Sequence, residues 1–385
     1  MKKIKEILPL LAMTVIPTLI IWLPFMFKLK SFWTIPLPQA GMATIVANYD
    51  GPLFLVVAKT LYNQALIKEM FSFPLTTEYY AAHFPLFPLL IKSFAAALGF
   101  PYAMLLVTSL SSFVAVYFFH KLAGQHVSRN NALWLSLVFS LFPARWLIVR
   151  SVGSAEPLFV AAIIASIYYF KEKKYLAAGI WGVVAQLTKS PGILLFTAYL
   201  TYLIIPKIKR LATLDFNKWI RSLELKPILP LLLMPLSLLG LFVFYKYRLN
   251  DFLAYFHSGD NFHLFFPPFQ IFNYSSAWVG TFWLEEVIFV YLLVALGLSK
   301  LIKQKETLLA WFVGVFFVST LFVAHRDIIR YSLPMVPFLL IAYSDTLISK
   351  EFKFIMTVLI IPIFLFSISY ISQNTMPISD WAPFL

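Results

Sequence analysis

Long apolar runs recur from one end of this chain to the other, and no other feature constrains its fold as much. The first, Ile7 to Phe27, matches the roughly 20 helical residues needed to cross the hydrocarbon of a bilayer. Within hydrocarbon every backbone N–H and C=O must find its partner inside the segment, so such runs become helices. Only 12% of the 385 residues are charged, about half the share in a soluble domain, while 61% are hydrophobic. The sequence therefore predicts an all-α polytopic membrane protein, with residues 1–385 forming a single integral membrane domain.

Eleven spans are expected. The first is Ile7–Phe27, which no small-residue cleavage site follows, so it reads as a retained anchor. The others are Tyr102–Phe119, Ala132–Val149, Pro157–Phe170, Tyr175–Leu187, Gly192–Pro206, Pro227–Tyr245, Ala277–Ser299, Thr307–Ala324, Tyr331–Ile348 and Phe354–Ser372. Residues 28–100 form an extracytoplasmic interval too polar for one span and too apolar for disorder. Helices lying at the membrane surface are expected there over Thr44–Tyr62, Asn63–Phe73 and Phe84–Leu98. The remaining spans fill 101–373, and 374–385 is an extracytoplasmic tail.

Basic residues fix the orientation. With a cytoplasmic N-terminus, 19 of the 31 Lys and Arg fall in the inside loops, among them Lys171, Lys173, Lys174, Lys300, Lys303 and Lys305. That bias is the positive-inside rule, and it accounts for a net charge of +14 that would suggest nucleic acid in a soluble protein. No nucleic-acid partner is expected. The inside loop Lys207 to Lys226 is too short to fold as a domain. The absence of cysteine excludes disulfides, Cys-ligated zinc and iron–sulfur centres.

The outside ends hold a mixed set of acids, bases and four of the six histidines, as a site requires. Asp50, in Asn48-Tyr49-Asp50-Gly51, suits a general base drawing a proton from an attacking hydroxyl. It equally suits a helix N-cap ahead of Gly51-Pro52. Glu156 stands before Pro157 as a helix-start acid, with Arg145 and Arg150 on the preceding helix end. Those arginines fit a phosphate clamp or a structural Arg–Glu pair. Lys189, on the less basic face, fits a lipid phosphate or a snorkelling side chain. His325, Arg326 and Arg330 form a further charged turn, and Glu78 and His83 lie on the same face. Glu285 and Glu286 fall within an expected span, where ionisable groups tend to face water. His257, Asp260 and His263 have a spacing compatible with a metal, in a loop that leaves their geometry open.

Several of these segments, in order, resemble the GPI-anchor mannosyltransferase II family of the membrane glycosyltransferase C (GT-C) superfamily. Asn48-Tyr49-Asp50-Gly51 is similar to its Trp-Asp-Gly segment, and His83-Phe-Pro-Leu-Phe-Pro-Leu-Leu90 to its Phe-Pro-Leu-Tyr-Pro segment. Gly153-Ser-Ala-Glu156-Pro-Leu-Phe159 looks like Tyr-Ser-Glu-Ser-Leu-Phe, and Thr188-Lys-Ser-Pro-Gly192 like Thr-Arg-Ser-Asn-Gly. The match covers Asp50 to Gly192; Tyr49 replaces the usual Trp, and Lys189 the usual Arg. The resemblance implies an inverting transfer of a hexose, mannose above all, from a polyprenyl-phosphate donor to a glycan, lipid or protein acceptor. Asp50 would be the catalytic base. Tyr49, Glu78, His83, Glu156, Arg145, Arg150, Lys189, His325, Arg326 and Arg330 would bind substrate. A phosphate leaving group lowers the need for a metal, so neither metal nor cofactor is expected. The expected setting is a prokaryotic cell membrane. A transporter or lipid flippase is the competing class, although it predicts an internal repeat that the sequence lacks.

Overall fold

The computed structural model describes residues 2–211, 225–261, 263–273, 275 and 284–385. Most of the inside loop Lys207–Lys226 and the start of the expected span Ala277–Ser299 lie outside the described residues. The apolar runs fold as helices, and the only strands among the described residues are the two-residue hairpin Ser31–Phe32 with Ile35–Pro36. Among the described residues four helices are long and apolar enough to cross a bilayer: Ile7–Met26, Phe100–Ala123, Lys226–Leu249 and Lys350–Gln373. The chain is an integral membrane protein.

The helix Glu156–Lys171 is the centre of the bundle. It packs between Phe100–Ala123 and Tyr175–Thr188, and 13 of its 16 residues are buried. A helix apolar all round belongs in such an interior position. Close approach comes from small residues: a Cβ at Gly179 would lie 2.2 Å from the Pro230 carbonyl oxygen of the neighbouring helix. A second core gathers Val46, Phe54, Val57 and Phe87 of the first loop against Tyr245 and Ile368.

Several expectations are corrected. Ala132–Val149 is two helices, Arg129–Leu141 and Ala144–Ser151, bent by 71°. Pro143 lacks an N–H and drives Phe142 out of the helical region, to φ −125° and ψ 140°. The expected span Tyr331–Ile348 begins earlier and ends sooner: Ile328–Ala342 is one helical stretch, tightened at Leu333–Met335, and Ser344–Leu347 is a separate short helix. Thr44–Tyr62 is not one surface helix. It divides into Met42–Val46 and Gly51–Thr60, and nine of the ten residues of the second piece are buried. The run Leu53 to Ala58 has no polar face to offer water, so protein covers it on every side. Glu285 and Glu286 open the helix Glu285–Lys303, exposed, where the helix dipole favours acids.

Gly51 fixes how the interrupted segment turns. A Cβ there would stand 2.3 Å from the carbonyl oxygen of Val46, which is backbone and cannot swing away. Gly51→Ala is expected to cost about 1–3 kcal/mol of stability, the usual range for overpacking. A thermal melt of the purified variant in detergent that matches the wild type would contradict this.

Candidate active site

The loop 47–50 is held from behind by the end of the helix Lys350–Gln373. Fully buried Asn48 donates its side-chain amide to the Ile371 carbonyl at 2.8 Å and accepts from the Asn374 amide at 3.2 Å. Met376 N–H donates to the Ala47 carbonyl at 2.8 Å, and Asn48 bridges to Thr375. Tyr49 takes a left-handed φ of 49°, a strained conformation for a non-glycine residue that only a well-fixed surrounding sustains. Asp50 occupies the N-cap position of Gly51–Thr60, yet its carboxylate makes no cap hydrogen bond. It turns instead to Arg330, whose Nη2 donates to Oδ2 at 3.0 Å.

Arg330 joins Asp50 to Glu156. Its Nε donates to Glu156 Oε1 at 2.5 Å, and Lys189 Nζ donates to the same oxygen at 2.6 Å. The Ser154 hydroxyl donates to the other Glu156 oxygen. The Arg330 guanidinium also lies over the Tyr49 ring, 4.3 Å from its centre. Behind it, Arg145 pairs with Asp327 at 3.1 Å, donates to the Tyr49 hydroxyl at 3.1 Å and stacks over Tyr370 at 3.9 Å. Three acids and three cations thus meet in one formally neutral cluster, an arrangement that offsets the cost of taking each charge out of water.

This cluster forms the polar wall of a cavity of about 530 Å³. Asp50, His83, Glu156, Lys189, His325 and Arg330 all line it. Phe84, Phe159, Phe242, Phe256 and Phe316 supply part of its apolar wall. Asp50 keeps 38% of its side chain open to the cavity, whereas Glu156 keeps 4%. Protein surrounds the cavity, so burial opposes ionisation of Asp50. Arg330 and His83 outweigh burial and hold the carboxyl below its usual range. Burial pushes His83 down despite the Asp50 charge, so its imidazole is neutral at pH 7.

Not every expected site residue reaches the cavity. Tyr49 and Arg145 lie behind it and touch the cluster. Glu78 is half-buried beside the Thr77 hydroxyl at 3.3 Å, off the cavity, and Arg326 is exposed. Arg150 is fully buried and faces the other way. It donates to the carbonyls of Ser140 and Thr14, with the Thr18 hydroxyl at 3.4 Å. Ser140 is in the last turn before the break at Pro143, where carbonyls lose their helical donors, and Arg150 replaces one. The phosphate-clamp reading of Arg150 is therefore corrected to a structural one. His257 turns to Asp251 at 2.5 Å and His263 to His325, so His257, Asp260 and His263 do not converge. Among the described residues no three His, Asp or Glu side chains group as metal ligands.

Sequence reasoning placed Asp327 in the polar set beside Arg330 without a role, and left Tyr370 out. Asp327 had a signal, since it precedes Arg330 by three positions and so shares its helix face. Tyr370 had none, being an aromatic in an apolar span.

Glu156 balances two cations and is the least exposed member of their network. Glu156→Gln is expected to destabilise the protein by about 3 kcal/mol, near the lower end for breaking a buried pair because Lys189 is partly hydrated. Denaturation in detergent checks this, and Glu156→Asp should lose less.

No family model matches the chain, and no curated protein matches it. Solved structures do. ArnT from Cupriavidus metallidurans bound to undecaprenyl phosphate superposes with a TM-score of 0.56 at 15% identity, covering 90% of this chain and 61% of that one. The same protein in the apo state gives a TM-score of 0.54 at 14% identity, covering 83% and 59%. The chain thus spans about three-fifths of the length of the ArnT structures it matches. The likeness is one of fold and does not show the GPI-anchor mannosyltransferase II family. The architecture around this cavity is the GT-C fold.

Proposed function

We propose that this protein is an extracytoplasmic glycosyltransferase that moves a hexose from a polyprenyl-phosphate donor to an acceptor hydroxyl with inversion. The observation that carries the reading is the contact of Arg330 with both Asp50 and Glu156 at the wall of one cavity, with Asp50 open to it. The ArnT structure with bound undecaprenyl phosphate supports a donor of that lipid class. The resemblance read from the sequence favours mannose, and a glycan, lipid or protein hydroxyl as acceptor.

The acceptor oxygen attacks the anomeric carbon as its proton passes to Asp50. A new C–O bond forms, the bond from that carbon to the phosphate oxygen breaks, and polyprenyl phosphate departs with the electron pair. Asp50 is ionised because its carboxyl is held low, so it is available as base at neutral pH. Lys189 and Arg330 meet the charge growing on the leaving phosphate. The two events are coupled through Arg330. Once Asp50 is protonated, the guanidinium has lost one of its two anions and its charge is freed for the phosphate.

Asp50→Asn should lower kcat by at least roughly a hundredfold, the scale of general-base catalysis, while the protein still melts cooperatively. The assay uses purified protein in detergent, radiolabelled polyprenyl-phosphate mannose and a panel of acceptors. Turnover by Asp50→Asn near the wild-type rate would refute the assignment of the base. Transport of the lipid across vesicles without transfer would favour a flippase. The sign of the pH dependence follows from the direction of the Asp50 shift. A base works when deprotonated, so a lowered pKa moves the acid limb of kcat/KM below about 3.9, the ordinary Asp value. Loss of half the activity above pH 5 would contradict that environment for the base.

A further inference from the structure

Two histidines far apart in sequence meet on the cavity wall. The Leu264–Val323 bridge, with Ala324 N–H donating to the His263 carbonyl at 3.0 Å and Phe265 N–H to the Phe322 carbonyl at 2.9 Å, clips 263–265 against the end of the helix Thr307–Leu321. That register sets the His263 and His325 rings 4.5 Å apart, with the Tyr331 ring 5.3 Å from His325 and 6.0 Å from His263. All three line the cavity that holds Asp50 and Arg330.

The tautomer of His325 is determined by the backbone. Asp327 N–H donates to His325 Nδ1 at 3.0 Å, so Nδ1 is the acceptor and the ring proton resides on Nε2. Among the described residues no protein group pairs with that Nε2. The ring stays uncharged, since burial, His263 and the nearby Arg330 push its pKa down to about 3. His263 is also pushed down, by burial first. The result is a cluster of three rings tilted against one another, with one fixed neutral N–H donor, a few residues from the acidic edge formed by Asp260.

We propose that His263, His325 and Tyr331 form the subsite for the sugar ring of the donor, a neutral pyranose, with His325 donating Nε2–H to a ring hydroxyl. The inference rests on the glycosyl-transfer reading and specifies what that site recognises. Aromatic faces suit the C–H face of a pyranose, and a pocket gains specificity from a few placed polar groups. A sugar carboxylate is disfavoured. The cavity cations Arg330 and Lys189 serve the donor phosphate, and Asp260 would repel a further anion.

The test is equilibrium binding of four lipids to the full chain in detergent: polyprenyl phosphate without sugar, and its mannose, glucose and glucuronate derivatives. His325→Phe is expected to weaken the mannose or glucose lipid by about tenfold, the upper end for one neutral hydrogen bond, and leave the sugarless lipid unchanged. His325→Gln, which returns an N–H donor near the Nε2 position, should recover most of that loss. Equal weakening of all lipids by His325→Phe, or weakening of none, overturns the sugar subsite while leaving lipid-phosphate binding intact. Tighter wild-type binding of the glucuronate lipid overturns the assignment of a neutral sugar. Failure of the wild type to bind any of the four removes the glycosyl-transfer reading itself.

Discussion

Arg330 is the side chain on which the arrangement of the site depends. It reaches Asp50 across 280 residues of sequence and Glu156 across 174, and covers the Tyr49 ring with its guanidinium. A buried cation of this kind persists only when its anions are held in place. Here each anion has further constraints. Glu156 is fixed by Lys189 and Ser154, and Asp50 by a loop strapped to the end of the last long helix. Because the cluster is formally neutral, its members have fixed positions, and Asp50 keeps an open face toward the cavity.

The irregular backbone of the molecule collects around this cluster. The break at Pro143, the helix start after Asp327 and the left-handed Tyr49 all adjoin it or carry residues that do. Non-helical backbone at membrane depth survives where protein buries it or where it lines a cavity. The same breaks release carbonyl groups, and Arg150 is occupied with satisfying them. Two arginines five positions apart, Arg145 and Arg150, thus serve different ends, one bracing the site and one bracing a bend.

How far the sequence could be read is clearest at three places. Lys189 stood out as a cation on the less basic face and was read as holding a lipid phosphate or snorkelling, whereas the fold pairs it with Glu156. Asp50 was ambiguous between a cap and a base, because both roles favour Asp before Gly-Pro at a helix start. The side chain's turn toward Arg330 excludes the cap. The first-loop helices were read as surface helices because hydropathy measures affinity for an apolar medium and does not distinguish lipid from protein. Gly51–Thr60 proves to be enclosed by protein.

By itself the sequence determined the helical class, the membrane setting and a set of polar residues as site candidates. These follow from composition and period, which act locally along the chain. Only the tertiary structure decided which of those residues share a cavity. Arg145, Arg150, Arg326 and Arg330 have the same chemistry, but only Arg330 lines the cavity. The difference lies in which carboxylates and carbonyls the fold brings within about 3 Å, a distance no local pattern encodes.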